Sequence, residues 1–331
     1  MLFWALFVLS IAVLVFEAFL HALNARYAKE GLKRYRALFL RLFAVLALVA
    51  SLLAWRLGDN PQALFGGFIA FFALTTATEV YCLGLFHGMM NVVFLAVAFV
   101  FIVASHFVFF HLMTPWLFFL ALAVFIAGAV FIFAKFHFRI LKRRVTLVPY
   151  EHRSGLVGSA FSESVYMIVS KARLGMNAML IGFLGRKRLL VTPQLLARLS
   201  FAEVEGIFLH EEGHETLKHL RMRVGYFSVA LAFLVGFGFL SRLLPGDFYT
   251  RHLSALFGYY LIYQVFQQCL IRLLHRQEYA SDAYAKRKGR AMALKEGLAK
   301  IEKTVETSKI HPAFARLYLS HPRIKDRIER L

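Results

Sequence analysis

Cysteine is nearly absent from this chain. Only two of its 331 residues are cysteines, Cys82 and Cys269, and both lie inside apolar runs. Two cysteines in such positions do not indicate a disulfide framework or a thiolate metal site. We therefore interpret both as small buried hydrophobic side chains.

Acidic residues are also scarce. Asp and Glu number 19 against 39 Lys and Arg, so the formal net charge is +20 at pH 7. A charge of this size would suit a nucleic-acid-binding protein, but the sequence has no recognition helix and no aromatic stacking platform. Most basic residues instead flank apolar runs, as the positive-inside rule expects of a membrane protein. We therefore expect the lipid bilayer, and no nucleic acid, as the partner of this charge.

Long apolar runs, by contrast, are abundant. Apolar residues make up 60% of the chain and are concentrated in runs of about 20 residues, which is enough to cross a hydrocarbon core. The first run, at 2–23, is followed but not preceded by basic residues, which favours an uncleaved anchor with its N-terminus outside over a signal peptide. Further runs lie at about 37–56, 62–84, 89–112, 115–136, 224–243 and 253–274. The sequence therefore predicts a mainly α, multi-pass membrane protein with about seven transmembrane helices.

The predicted spans divide the chain into four segments. Residues 1–136 are expected to form an N-terminal membrane domain of about five helices, and residues 137–223 the first part of a polar, globular domain. A pair of spans at 224–274 leads to residues 275–331, the second part of that domain. Because paired spans return the chain to the side it left, both polar parts are expected at the cytoplasmic face.

Local patterns in the first polar segment predict strands followed by helices. The stretches SESVYMIVSK and NAMLIGFLGRKRLLVT predict strands, the second broken by a turn at GRKR. Thr192 as N-cap and Pro193 as first helical residue predict a short helix. Ser200 and Glu203 form a capping-box pattern that opens a second helix, predicted to run to about Leu220.

This second helix contains the motif His210-Glu211-Glu212-Gly213-His214. Residues i and i+4 lie on one face of a helix, so His210 and His214 can bind one ion while Glu211 holds a water molecule. Two imidazole ligands and a carboxylate base are the chemical content of an HExxH motif, and they suit Zn²⁺. The alternative is a chance match of five residues on an ordinary helix.

A catalytic zinc site needs a third protein ligand. Glu278 and Asp282 lie four residues apart and so face one side of a helix. Glu278 is the candidate ligand, and Asp282 can accept a hydrogen bond from a ligand histidine and fix its tautomer. The alternative for Glu278 is a solvated carboxylate. His219, five residues after His214, is expected on another face of the helix, as a surface histidine.

HEEGH and EYASD together resemble the signature of the integral-membrane gluzincins, the HtpX-type heat-shock proteases and the type I CAAX prenyl proteases. In those families an Asn-Ala strand precedes HExxH, two spans separate it from an E-x-x-A-D helix, and a Ser/Thr-His-Pro-x4-Arg-Ile element follows. Here the matching elements are Asn177-Ala178 with Gly182, and Ser320-His321-Pro322 with Arg327-Ile328. The resemblance covers about residues 160–331, and Ser281 departs from the usual Ala.

The resemblance implies a zinc metalloendopeptidase whose protease domain is of the α+β gluzincin type with a small β-sheet. One catalytic ion would be held by His210, His214 and Glu278. Asp282 would orient a ligand histidine. Glu211 would act as the general base in hydrolysis of a peptide bond.

The resemblance also implies how a polypeptide substrate would be held. His321 would donate a hydrogen bond to the developing oxyanion, the alternative being a helix-start residue held by Pro322. Asn177, Ala178 and Gly182 would belong to an edge strand that pairs with an extended substrate backbone.

Three functions stay open at this point. The first is a membrane-embedded endopeptidase for membrane-protein quality control, in the inner or plasma membrane if the source is bacterial. The second is a protease that processes a specific lipidated or membrane-tethered peptide. The third is a transporter or receptor with an inactive protease-like domain, which the joint presence of Glu211 and the ligand set argues against.

Overall fold

The structure is a computed structural model that describes residues 2–27, 146–150, 165–169, 175–181, 188–240, 243–244, 248–305 and 307–331. These residues are mostly helical, with one small mixed sheet. The strands are β1 (Thr146–Pro149), β2 (Val165–Val169), β3 (Ala178–Ile181) and β4 (Arg188–Val191). The helices are α1 (Leu2–Tyr27), α2 (Pro193–Arg198), α3 (Phe201–Thr216), α4 (His219–Leu240), α5 (Phe248–Arg287), α6 (Ala291–Val305), α7 (Pro312–Tyr318) and α8 (Ile324–Ile328).

The chain divides into two compact units. One comprises residues 1–120 and 229–267, and the other residues 121–228 and 268–331. Helices α4 and α5 each contribute residues to both units. The domain boundaries expected from the sequence, at 136, 223 and 274, therefore stay predictions.

Helix α1 belongs to the first unit. Within the part of the chain that the structure describes, it is the one helix whose length and composition would allow it to cross a membrane, over Phe3–Asn24. Phe7 packs edge-on against Phe257 of α5, with ring centroids 5.5 Å apart. The runs predicted between residues 37 and 136 lie outside the described residues, so the count of seven spans stays a prediction.

The last two predicted spans fall on α4 and α5. Because α5 is a single helix of 40 residues, it contains both the apolar run at 253–274 and the candidate site residues Glu278 and Asp282. Cys269 on α5 is exposed, which corrects the expectation that it is buried. An apolar run predicts an apolar environment, and it does not say which of its side chains other parts of the protein cover. Cys82 lies outside the described residues.

The sheet of the second unit has the order β1-β2-β4-β3. Strands β2 and β4 are parallel, and β1 and β3 pair antiparallel to them at the two edges. The strand stretches predicted from the sequence correspond to β2, β3 and β4, whereas β1 was not predicted. Three of the four β1 residues are exposed, so it lacks the alternation that marks a half-buried strand. The central strand β4 is the buried one, with Leu189, Leu190 and Val191 fully covered.

Helix α3, which carries HEEGH, begins as predicted and ends early. Ser200 N donates to Glu203 Oε2 at 2.6 Å, and Glu203 N donates to Ser200 Oγ at 3.4 Å, so the capping box is confirmed. The helix stops at Thr216 rather than near Leu220. Lys218 has a positive φ of 57°, a left-handed conformation that breaks the helix before α4 begins. The motif therefore lies at the C-terminal end of its helix.

Two glycines let α3 approach its neighbours closely. A Cβ added at Gly206 would lie 2.8 Å from the backbone nitrogen of Leu294 on α6, and one at Gly213 would lie 3.0 Å from Cα of Ser281 on α5. Around these contacts, Phe208, Leu209 and other side chains form the core of the second unit. Burial of each large apolar side chain contributes on the order of 1.5–3 kcal/mol. The core thus holds the motif helix against the helix that carries Glu278.

Candidate metal centre and active site

Three predicted ligand residues converge within the second unit. His210 Nε2 lies 3.2 Å from His214 Nε2 and 3.4 Å from Glu278 Oε2. His214 Nε2 lies 3.3 Å from Glu278 Oε1. These residues form a group that could hold a metal ion. The four-residue spacing on α3 brings the two imidazoles together, and α5 adds the carboxylate from the opposite side.

The donor set fits zinc in type and in spacing. Tetrahedral zinc with bonds of about 2.0–2.1 Å has its ligand atoms roughly 3.3 Å apart, which matches the distances between these nitrogens and oxygens. Two neutral imidazoles and one carboxylate leave a fourth position for water or substrate. His210 and Glu278 are buried, whereas His214 is partly exposed. An ion bound here would therefore have one accessible side.

Asp282 and Arg327 support His210. Asp282 Oδ1 accepts a hydrogen bond from His210 Nδ1 at 2.8 Å, which is the contact that a residue orienting a ligand histidine would make. Arg327 on α8 donates twice to Asp282, from Nη2 to Oδ1 at 2.6 Å and from Nε to Oδ2 at 2.9 Å. Its Nη1 also lies 3.2 Å from Glu278 Oε2. The C-terminal helix therefore joins two buried carboxylates of α5 through one guanidinium group.

His219 supports the other histidine, and the sequence interpretation missed it. His219 is only 4% exposed, and its Nδ1 lies 2.9 Å from Nδ1 of His214. The prediction of a surface histidine was wrong because it assumed that α3 continues past His219. The break at Lys218 turns the next residue back toward the metal site. The spacing of five residues between His214 and His219 predicts their contact only when the helix break at Lys218 is known.

The candidate catalytic residues lie beside the ligand group. Glu211 follows His210 on α3, in a partly exposed position. His321 Nδ1 lies 3.1 Å from Glu278 Oε1, and the His321 side chain is 66% exposed. The segment before His321 is tied to α5, since His275 Nε2 donates to the carbonyl oxygen of Leu319 at 2.9 Å. His321 is thus held at the open side of the ligand group.

The predicted substrate-strand residues are only partly described. Asn177 is exposed and precedes β3, which begins at Ala178. Thr192 forms hydrogen bonds with both backbone groups of Asn177. Its Oγ1 accepts from Asn177 N at 2.9 Å, and its backbone N donates to Asn177 O at 3.0 Å. Thr192 makes these bonds instead of a side-chain cap on α2. Gly182 lies outside the described residues.

Burial and hydrogen bonding set the ionisation of the metal-free site. Burial lowers the pKa of His210, but hydrogen bonds to Asp282 and Glu278 outweigh it and raise the pKa to about 9. Burial raises the pKa of Glu278, but hydrogen bonds from three histidines hold it well below its usual range. A metal ion would therefore meet an anionic carboxylate and displace a proton from His210.

The pKa values of two further groups near the ligands, His219 and Glu211, are shifted in opposite directions. Burial, together with the charges of His214 and Arg223, lowers the pKa of His219 to about 4. Desolvation raises the pKa of the Glu211 carboxyl above its ordinary value, against the opposing charges of His210 and His214. A carboxyl with a raised pKa is suited to a general base, since it holds a proton more readily between the steps of a reaction.

The sequence model of the family described as "Peptidase family M48" matches residues 156–331, more than half of the chain. The chain belongs to peptidase family M48. The resemblance to the integral-membrane gluzincins is thereby confirmed, and the protein is a metallopeptidase of the family that uses zinc.

The fold agrees with this membership. The crystal structure of S. mikatae Ste24p is similar over 100% of this chain and 98% of that one, with a TM-score of 0.61 and 17% sequence identity. At this identity the likeness shows a shared fold. No curated protein sequence matches the chain. In this M48 peptidase the family match includes α3, α4, α5 and α8, the four helices that carry the ligand group and its supports.

Proposed function

We propose that the protein is an integral-membrane zinc endopeptidase whose catalytic ion is bound by His210, His214 and Glu278. The observation that carries the proposal is the convergence of these three donors at 3.2–3.4 Å in a chain of family M48. An inactive receptor or transporter would have no need for this set together with a base at Glu211. The observed ligand spacing therefore favours a working hydrolase.

Residues of this chain would carry the proton transfers. Zinc, when bound, supplies a Lewis acid that polarises the scissile carbonyl and lowers the pKa of water toward neutrality. Glu211 accepts the proton of the attacking water and delivers it to the leaving amine. Asp282 keeps Nδ1 of His210 protonated, so that Nε2 presents its lone pair to the ion.

We assign His321 to the developing oxyanion. Its exposed ring lies at the open side of the ligand group, 3.1 Å from Glu278, where a substrate carbonyl can reach both the ion and an N–H donor. A preorganised donor at such a position stabilises charge that appears only in the transition state. Since His275 ties the preceding segment to α5, the donor is held before the substrate arrives.

The edge strand β3 is the proposed binding site for the substrate backbone. It has β4 on one side, and among the strands of the described residues none pairs with its other side. An extended peptide can add there as a further strand, with affinity from main-chain hydrogen bonds. Because the backbone N–H and carbonyl of Asn177 are already hydrogen-bonded to Thr192, pairing with the substrate would begin at Ala178 and continue toward Gly182.

We further propose a multi-pass protein of about seven spans, with its N-terminus outside and the protease domain at the cytoplasmic face. The candidate span of α1 and the apolar runs support this arrangement. Its leading role is the removal of misfolded or surplus membrane proteins. Processing of a lipidated, membrane-tethered peptide is the second candidate, because the sequence resembles the type I CAAX prenyl proteases as well as the HtpX-type proteases.

The two roles predict different substrates. The purified protein in detergent is offered an unfolded soluble polypeptide and, separately, a short peptide with a prenylated cysteine near its C-terminus, with Glu211→Gln as background. Quality control predicts cleavage of the unfolded polypeptide at many positions. Cleavage confined to the prenylated peptide would replace quality control with the processing role.

A further inference from the structure

We propose that His219 is a positioning residue for the ligand His214. Its Nδ1 accepts a hydrogen bond from the Nδ1–H of His214 and so directs Nε2 of His214 at the metal. The observation is the separation of 2.9 Å between the two Nδ1 atoms, with the rings 5.0 Å apart at 74°. The inference rests on the proposed zinc site and adds a residue to it.

The direction of this hydrogen bond follows from the atom that faces the other ligands. His214 Nε2 lies near both His210 Nε2 and Glu278 Oε1, so its lone pair is the one available to an ion. A neutral imidazole carries its single proton on the other nitrogen. Nδ1 of His214 is then the donor and Nδ1 of His219 the acceptor, with the His219 proton on Nε2.

The backbone of His219 is held in place by the surrounding structure. Lys218 adopts a positive φ, and His219 begins α4 immediately after this turn. Gln277 Nε2 donates to the carbonyl oxygen of His219 at 3.3 Å, and Arg223 Nε donates to Gln277 Oε1 at 2.7 Å. Gln277 precedes the ligand Glu278, so α5 positions the third ligand and the backbone of His219 together.

The proposed hydrogen-bond acceptor for His214 is the neutral ring of His219, whereas the acceptor for His210 is the carboxylate of Asp282. Partners of ligand histidines commonly account for about 10- to 100-fold in metal affinity, and a neutral acceptor belongs near the lower end of that range. Loss of the acceptor should therefore weaken zinc binding measurably without removing a buried charge. This combination separates a positioning role from a purely structural one.

Two substitutions test the acceptor. His219→Phe keeps an aromatic ring of similar size and removes the acceptor, and His219→Asn keeps an oxygen close to the position of Nδ1. His311→Phe, at the N-cap of α7, is the matched change outside the site. For each full-length protein in detergent, the zinc dissociation constant is measured by competition with a chelator, and the visible spectrum of the cobalt(II)-substituted form is recorded.

We expect His219→Phe to weaken zinc binding about 10-fold or more and to alter the cobalt spectrum, while His219→Asn and His311→Phe stay near the wild type. If His219→Phe does not fold, His219→Leu takes its place. Wild-type affinity in the Phe or Leu variant would overturn the inference, as would equal weakening in the Asn variant. Absence of zinc binding by the wild type would instead overturn the proposed metal centre itself.

Discussion

The two ligand histidines lie one turn apart on the same face of α3 but are supported in different ways. His210 is buried and bonds to Asp282, which in turn pairs with Arg327 of the last helix. His214 is partly exposed and bonds to the neutral ring of His219 at the next helix start. The first support is an ion-pair network that joins α3, α5 and α8, so it contributes to folding as well as to metal binding. The second is local and should affect chiefly the metal.

The largest effect is expected from Asp282→Ala, which breaks the charged support. Arg327 would keep a buried charge without its doubly hydrogen-bonded carboxylate partner, and removal of one partner of a buried pair typically costs about 3–5 kcal/mol. We expect the free energy of unfolding, measured by denaturant titration of the metal-free protein, to fall by roughly that amount. Zinc affinity should fall as well. A loss of affinity with unchanged stability would mean that both histidine supports are local.

The double variant Asp282→Leu with Arg327→Met sharpens this comparison. Replacing a whole buried ion pair with apolar residues is often neutral or stabilising by about 1–4 kcal/mol. We therefore expect the double variant to unfold at higher denaturant than Asp282→Ala, while its zinc affinity stays low because His210 has lost its acceptor. Recovery of zinc affinity together with stability would show that Asp282 acts only through the fold.

Substitution of either of the two glycines of α3, Gly206 and Gly213, is expected to have an intermediate effect on stability. Gly213→Ala would place its Cβ 3.0 Å from Cα of Ser281 on the ligand helix, and Gly206→Ala would press on Leu294 of α6. Overpacking of this kind costs about 1–3 kcal/mol in either case. Only Gly213→Ala should also weaken zinc binding, because it separates His214 from Glu278. Chelator competition on both variants makes the comparison, and equal affinities would contradict it.

The smallest effect is expected from Ser281→Ala. Ser281 is fully buried, and among the described residues its Oγ has no hydrogen-bond partner. Removing an unsatisfied buried hydroxyl is nearly neutral or stabilising. Thermal unfolding should therefore show an unchanged or slightly higher midpoint, with zinc affinity unchanged. A clear loss of stability would indicate that the hydroxyl has a partner.

The sequence was most informative where local periodicity determines geometry. The spacing of His210 and His214, the spacing of Glu278 and Asp282, and the capping box at Ser200 each depend on the helix repeat alone, and the structure contains all three. The contact between α3 and α5 is tertiary, and it was indicated only indirectly, by the need for a third zinc ligand, by the paired spans and by the family resemblance.

Features that depend on tertiary contacts or on unusual backbone conformations were missed. The role of Arg327 depends on how α8 docks against α5, and the role of His219 on the positive φ of a lysine, which no lysine-specific preference would predict. Strand β1 pairs with β2 at an exposed edge and lacks a hydrophobic pattern. In each case the deciding interaction comes from residues distant in the sequence or from a single backbone angle.

The most direct test of the account is the zinc content and proteolytic activity of the purified wild type beside Glu211→Gln. The substitution removes the base but leaves all three ligand side chains, so both proteins should contain about one zinc per chain. Only the wild type should cleave an unfolded polypeptide. A folded wild-type protein that binds no zinc, or a Glu211→Gln variant that cleaves as fast as the wild type, would contradict the account.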